Sequence, residues 1–227
     1  MRPVVSKDAR ALCRRLHYSG KVVNNSQVHL GVFWAGRFEG IMQFGPPMDR
    51  SKILGLVEGS RWCDVLELNR MAFSDRLPRN SESRALSVAM RLLKRHAPQV
   101  KWLTSFADGT QCGDGTIYRA AGWLLTQIVE NNQIIEFPDG ERVARLTMDS
   151  NAATYARYAR KWGIEMTSAK SWKAFKPIGA RMIPGFMLRY MYFLDKAART
   201  RLTCDVLPYS EIDRRGARMY LGNAPEA

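Results

Sequence analysis

The sequence is short of histidine, cysteine and acid. Its four cysteines, Cys13, Cys63, Cys112 and Cys204, are scattered, with no C-x-x-C pair and no histidine at a ligand spacing. A zinc site and a disulfide framework are both excluded on that spacing. No apolar run approaches the roughly 18 residues of a membrane span. The opening MRPVVSKDARALCRRLH also lacks the apolar segment of a signal peptide. The chain therefore reads as cytoplasmic, with reduced thiols and no membrane partner. There is no internal repeat and no low-complexity segment. Against 35 Lys+Arg stand only 21 Asp+Glu, a net charge of +14 in 227 residues. That excess asks for a polyanion. Nucleic acid comes first, because each Lys or Arg set on a phosphate releases condensed counterions; a membrane surface is second, and a merely soluble basic surface is the plain alternative.

The length suits one domain with a full core, or one domain and an appendage. Residues 6–16 place Ala9, Leu12, Cys13 and Leu16 at helical spacing behind a Ser6 cap, predicting a first helix that ends near His17. VHLGVFWAGRFEGIMQFG reads as a hairpin turning at Ala35-Gly36-Arg37. A short helix follows Pro46-Pro47, and 63–73 reads as a central strand. The clearest helix is SESRALSVAMRLLKRHAP, with Leu86, Ala89, Leu93 and His96 on one face and Pro98 as its stop. Residues 100–106 form a further strand, GTIYRAA a short helix, and 123–137 two strands around Glu130-Asn131-Asn132, before a PDGE turn.

The composition shifts near residue 150. Residues 151–227 hold five Lys and nine Arg against six acids, a net of +8, whereas 1–150 carry +6. Aromatics such as Tyr155, Tyr158, Trp162, Trp172, Phe175, Tyr190 and Tyr192 are interleaved with those charges. That pattern suits phosphate contact with base stacking; the alternative is that the aromatics dock the segment and the charges are its solvated face. The expected organisation is a catalytic domain over 1–150 and a basic, aromatic C-terminal extension over 151–227 that contacts DNA and packs on the core. Lys161, Lys170, Lys173, Lys176, Arg181 and Arg189 are its expected DNA contacts.

The order of elements, with Tyr118 followed by Gly122-Trp123 after the short helix, resembles the GNAT acyltransferase fold: an α+β arrangement with a central mixed, mostly antiparallel sheet flanked by helices. HYSGK (17–21), LELNR (66–70), NSESRAL (80–86), SFADG (105–109) and GTIYRAAGW (115–123) together resemble the Mom family of DNA-modification proteins of Mu-like phages, over residues 10 to 150. The resemblance implies a DNA-modifying transferase that converts adenine in DNA to its N6-carbamoylmethyl form and protects phage DNA from host restriction, in the host cell cytoplasm. Two other readings stay open: a GNAT-type N-acetyltransferase on a protein or small molecule, and a non-catalytic DNA-binding protein.

The expected catalytic residues are His17, Tyr18, Arg70, Ser83, Asp108 and Tyr118. Arg70 lies in an otherwise apolar strand, where a buried guanidinium needs a carboxylate or phosphate partner. Asp108, after the strand 100–106, is placed as a base or as a group that orients one, and Tyr118 as a proton donor; turn and core roles are their alternatives. His17 and Tyr18 close the first helix, while His29 and His96 fit structural faces. Asn80 suits the cap of the helix that follows, with Glu82 in its first turn. Asn80, Ser81 and Ser83 are the expected cofactor contacts at that helix start. GNAT acetyltransferases carry a glycine-rich loop for the coenzyme A pyrophosphate there, but PRNSESRAL has no glycine, and Glu82 would repel a pyrophosphate. Acetyl-CoA is therefore the weaker donor, and an activated glycine such as glycyl-tRNA the alternative that fits the product. His17, Tyr18 and Asp108 show no metal-ligand motif, so no metal is expected. DNA, with its adenine flipped or single-stranded, is the expected partner, together with a tRNA if the donor is glycyl-tRNA.

Overall fold

The stretch 28–45 folds as the hairpin that its alternation predicts. In the computed structural model, which describes residues 1–110, 113–165 and 170–218, the short β1 (Arg2–Pro3) lies beside β2 (Val28–Trp34), which turns into β3 (Arg37–Gly45). Ala35 and Gly36 make that turn at φ 46° and 76°, two left-handed residues whose twist matches the paired strands. The other strands are β4 (Val65–Phe73), β5 (Trp102–Asp108), β6 (Leu124–Glu130), β7 (Ile134–Glu136), β8 (Arg142–Ala144), β9 (Arg181–Ile183) and β10 (Phe186–Phe193). One sheet runs β1-β2-β3-β4-β5-β10-β6 and a second runs β8-β7-β9. Every pairing is antiparallel except that of β4 with β5, the mixed, mostly antiparallel arrangement expected.

The helices are α1 (Ser6–Leu16), α2 (Arg50–Leu54), α3 (Ser81–His96), α4 (Thr116–Ala120), α5 (Arg145–Ser150), α6 (Ala152–Trp162), α7 (Lys196–Arg199) and α8 (Ser210–Arg214). Helices α1 and α3 cover opposite faces of the large sheet. Ala9, Leu12 and Cys13 of α1 pack with Ile41 and Ala72, while Leu86, Ala89 and Leu93 of α3 pack with Met42, Phe44, Leu68 and Leu103. Successive residues Ile41 and Met42 thus point to the two layers, as the period of a strand requires. Three local expectations need correction. Ser6 is the first helical residue and Val5 holds the cap position, with no side-chain cap. Asn80 does stand at the N-cap of α3, but at φ 66° and without a capping side-chain bond. His96 is exposed, because the last turn of α3 runs past the end of the core.

Residues beyond 150 contribute a strand to each sheet. Strand β10 enters the large sheet between β5 and β6, since fully buried Leu188, Tyr190 and Met191 require cover on both faces. The second sheet, α5, α6 and the 3-10 segment Trp172–Ile178 enclose a separate core of Ile135, Phe137, Met148, Tyr155, Tyr158 and Phe175. The aromatics interleaved with charge are therefore largely core. Phe137 stacks on Tyr158 at 4.5 Å and meets Phe175 edge-on at 5.5 Å.

Nor is Arg189 a DNA contact. It is buried in β10, where its Nε donates to Thr126 Oγ1 at 3.0 Å and its guanidinium reaches Thr126 O at 3.3 Å and Cys204 Sγ at 3.6 Å. It ties β10 to β6. The free thiols among the described residues are Cys13, Cys63 and Cys204; Cys112 lies outside the described residues. Because Arg189→Ala strands the partners of a buried charged donor, it is expected to lower unfolding free energy by about 2 kcal/mol in urea titration and to leave DNA affinity unchanged.

Candidate active site

Strands β4 and β5 run side by side only over Val65–Glu67 and Trp102–Thr104. Beyond that they part, although β4 stays paired with β3 as far as Phe73 and β5 with β10 as far as Asp108. Ser105 Oγ donates to Leu68 O at 3.1 Å, so a side chain satisfies the buried carbonyl just past the last rung. A cavity of about 700 Å³ opens in the gap. Its walls are the C-terminal end of α1 with His17 and Tyr18, the splayed part of β4 with Asn69 and Arg70, Glu82 at the start of α3, Phe106 on β5, and the 113–118 segment with Tyr118. Because α1 and α3 lie on opposite faces, the cavity has a wall from each layer.

The loop after α1 fixes the state of His17. The Ser19 N–H donates to His17 Nδ1 at 3.2 Å, Ser19 Oγ lies 2.8 Å from the same atom, and the Lys21 N–H donates to Ser19 Oγ at 3.3 Å. A nitrogen that accepts a backbone N–H carries no proton, so the ring proton sits on Nε2. Burial, with the Arg70 guanidinium second, lowers the His17 pKa to about 4. His17 is therefore a neutral hydrogen-bond donor at neutral pH and not a proton acceptor through Nε2.

Arg70 Nη1 donates to Asn69 O at 2.7 Å and Nε to Lys21 O at 3.4 Å. No carboxylate pairs with it among the described residues. Glu82 likewise has no hydrogen bond or ion pair to its carboxylate among the described residues. Asp114, the other acid lining the cavity, is held by Arg119 at 3.1 Å and by Thr116 Oγ1 at 2.8 Å. The buried Tyr118 hydroxyl lies 2.9 Å from Ser105 Oγ. Since the Ser105 proton goes to Leu68 O, Tyr118 donates to Ser105. Its ring stacks on Tyr190 at 5.0 Å. Gly115, at φ 81°, lets that ring approach: a Cβ there would lie 2.3 Å from Tyr190.

The structure thus gathers His17, Tyr18, Arg70 and Tyr118 around one cavity. It leaves out the other expected site residues. Asp108 is the last residue of β5, buried, and its Oδ1 accepts from the Thr110 N–H at 3.0 Å and Asn131 Nδ2 at 3.1 Å. It lies outside the cavity lining because the strand runs two residues further than expected. Asn80, Ser81 and Ser83 do not line the cavity either. Ser81 Oγ donates to Pro78 O at 2.6 Å and Ser83 Oγ to Asn80 O at 3.2 Å, so both hydroxyls serve the helix start. Glu82 is the residue whose role the sequence did not disclose. An acid in a first turn is ordinary, and only the parting of the strands beneath α3 turns it into a cavity wall.

Residues 1–211 match the Mom protein family. The chain belongs to that family. Methylcarbamoylase mom of Escherichia phage Mu is 32% identical over 195 residues, covering 86% of this chain and 75% of the phage Mu protein. Among solved structures, an acetyltransferase of Bacillus subtilis in complex with CoA is 8% identical with a TM-score of 0.42, covering 84% of this chain and 93% of its own. A GNAT family acetyltransferase of Elizabethkingia anophelis with acetyl-CoA bound is 11% identical with a TM-score of 0.39, covering 84% and 91%. Glu82, in the first turn of α3, presents its carboxylate to the cavity. Among the described residues no group of three His, Cys, Asp or Glu could hold a metal ion, and no helix is long and apolar enough to cross a membrane.

The His17 assignment is directly measurable. In 15N-histidine spectra, His17 is expected to show the Nε2–H tautomer, unchanged from pH 8 to pH 6, with a midpoint of about 4. The folded pKa lies below the ordinary 6.5, so the unfolded chain binds the proton more readily and this residue withdraws stability as the pH falls from about 6.5 towards 4.

Proposed function

We propose that the protein is a DNA-modifying transferase that converts adenine in DNA to N6-carbamoylmethyladenine. The observation that carries this reading is the cavity between the parted strands, which holds an unpaired guanidinium and an unpaired carboxylate beside a neutral imidazole donor, in a chain of the Mom family with a net charge of +14. The relative from phage Mu is named a methylcarbamoylase, and protection of phage DNA from restriction follows from the same reading.

Adenine N6 is a weak nucleophile because its lone pair is delocalised into the purine, and in a duplex it is paired. The base must leave the stack or be presented on a single strand. Glu82 then takes a proton from N6 as the new bond forms. The His17 Nε2–H and Arg70 hold the negative charge that develops on the donor's carbonyl oxygen. Tyr118 keeps the strand gap open through Ser105.

An activated glycine, such as glycyl-tRNA, is the donor that matches both an acyl-transfer cavity and an alkyl-linked product. N6 attacks the glycyl carbonyl carbon, the ester C–O bond breaks, and the released hydroxyl takes the proton, leaving N6–CO–CH2–NH2. That product is an isomer of N6–CH2–CO–NH2. Its amine attacks C6, closing a ring through C6, N6, the carbonyl carbon, the methylene and the amine nitrogen. The original C6–N6 bond then breaks, N6 takes the proton given up by the amine, and it leaves as the primary amide. No oxidant or reductant is required.

Expression in bacteria followed by nucleoside mass spectrometry of their DNA is expected to show carbamoylmethyladenine; unmodified adenine with tight DNA binding would point instead to a non-catalytic binding protein. Glu82→Gln is expected to lower the modified fraction by about 10²-fold or more without a change in melting temperature. With purified protein, 14C-glycyl-tRNA is expected to label DNA adenine; absence of label where a cell extract supports the reaction would discard glycine as the donor.

A further inference from the structure

The cavity has two sides, and they differ in charge. The start of α3 lines it with the Glu82 carboxylate; Asp114, held by Arg119, and Arg218, held by Asp213, are its other charged lining groups beside Arg70. On the α1 side the last turn of the helix ends in exposed Arg14 and Arg15, followed by His17, Tyr18 and Lys21, with Arg70 behind them on β4. None of Arg14, Arg15, Lys21 and Arg70 pairs with a carboxylate among the described residues; Lys21 Nζ donates to Thr147 Oγ1 at 2.8 Å instead. The acid of α1, Asp8, sits in its first turn at the far end of the helix. Lys21 and Arg70 are close enough to oppose one another: burial first, then Arg70 and Arg157, holds the Lys21 ammonium below its ordinary pKa. In contrast, cations expected to meet DNA are engaged elsewhere, Lys161 with Asp139 and Glu141 and Arg181 with Glu136.

An aromatic completes the rim. Tyr18 is 53% exposed at the cavity edge, its ring 4.3 Å from that of His17 and tilted by 32°. An exposed ring beside a cation cluster is the pairing of features that holds an unstacked base next to its phosphates.

We propose that DNA seats its phosphodiester backbone on the α1 side of the cavity mouth, against Arg14, Arg15 and Lys21, so that the extruded adenine enters past Tyr18 towards Arg70. This rests on the reading of the protein as a DNA-modifying enzyme. It leaves the α3 side, with its carboxylate, to the donor, so that the two substrates meet in the gap from opposite faces of the sheet.

The test is fluorescence anisotropy with a labelled adenine-containing duplex over a range of salt concentrations, which reads binding without requiring turnover. Arg14→Glu with Arg15→Glu is expected to weaken binding at least tenfold at about 100 mM salt and to reduce the slope of log K against log salt by about one to two. Arg84→Glu with Arg91→Glu, on the outer surface of α3, and Lys173→Glu with Lys176→Glu are expected to bind within about twofold of the parent protein. Melting temperatures of all three pairs guard against unfolding. The proposal is overturned if the α1 pair binds like the parent, or if the α3 pair or the Lys173/Lys176 pair shows the larger loss. Loss confined to a tRNA probe, with duplex binding unchanged, overturns it as well. Nucleoside analysis separates this from the functional reading: modified adenine with an unaffected α1 pair sinks the docking surface alone, while absent modification with a weakened α1 pair sinks the chemistry alone.

Discussion

The hydrogen bond from Ser105 Oγ to the Leu68 carbonyl stands just beyond the last rung of a parallel ladder. A parallel pair that separates inside a sheet exposes a row of backbone groups on each strand, and every buried one needs another partner. Here Ser105 serves Leu68, and Tyr118 in turn serves Ser105. Stacking of Tyr118 on Tyr190 carries the same support into β10. The opening is therefore a bonded structure with its own framework, held apart by the pairings of β4 with β3 and of β5 with β10.

The electrostatics of the gap follow from where its walls originate. A helix that ends at the gap brings cations in its last turn, as α1 does with Arg14 and Arg15, and a helix that begins there brings an acid in its first turn, as α3 does with Glu82. Ordinary helix-end preferences therefore give the two sides of the gap opposite charge. What is unusual is that neither Arg70 nor Glu82 forms an ion pair among the described residues, although Glu67 lies near enough to Arg70 to feel its charge. Two charges without a direct ion pair in one cavity mark a place prepared for polar ligands.

The hairpin 28–45 and helix α3 were legible because their apolar residues repeat with a clear period and their turns carry distinctive residues. His17 and Tyr18 could be placed at a helix end, and Arg70 in a strand, for the same local reason. The position of β10 was not legible. Its neighbour β5 lies some eighty residues earlier, and no local pattern specifies a partner at that distance. Arg189 shows the limit from the other side: an arginine among aromatics reads as a surface contact until its strand is known to be central. Composition could not separate aromatics that stack on bases from aromatics that fill a core, since both uses favour the same residues. Hydroxyls at a helix start were equally ambiguous, because Ser81 and Ser83 could face a ligand or, as they do, their own backbone carbonyls.

The late arrival of β10 bears on how the protein is made. Until residues 186–193 leave the ribosome, β5 has no neighbour on one side, and the strand that carries Ser105 is a bare edge beside a half-built opening. Nascent chains interrupted before that point lack the support of Tyr190 beneath Tyr118. Synthesis and the closing of the sheet are thereby coupled: the last quarter of the chain supplies the strand that the earlier three lack.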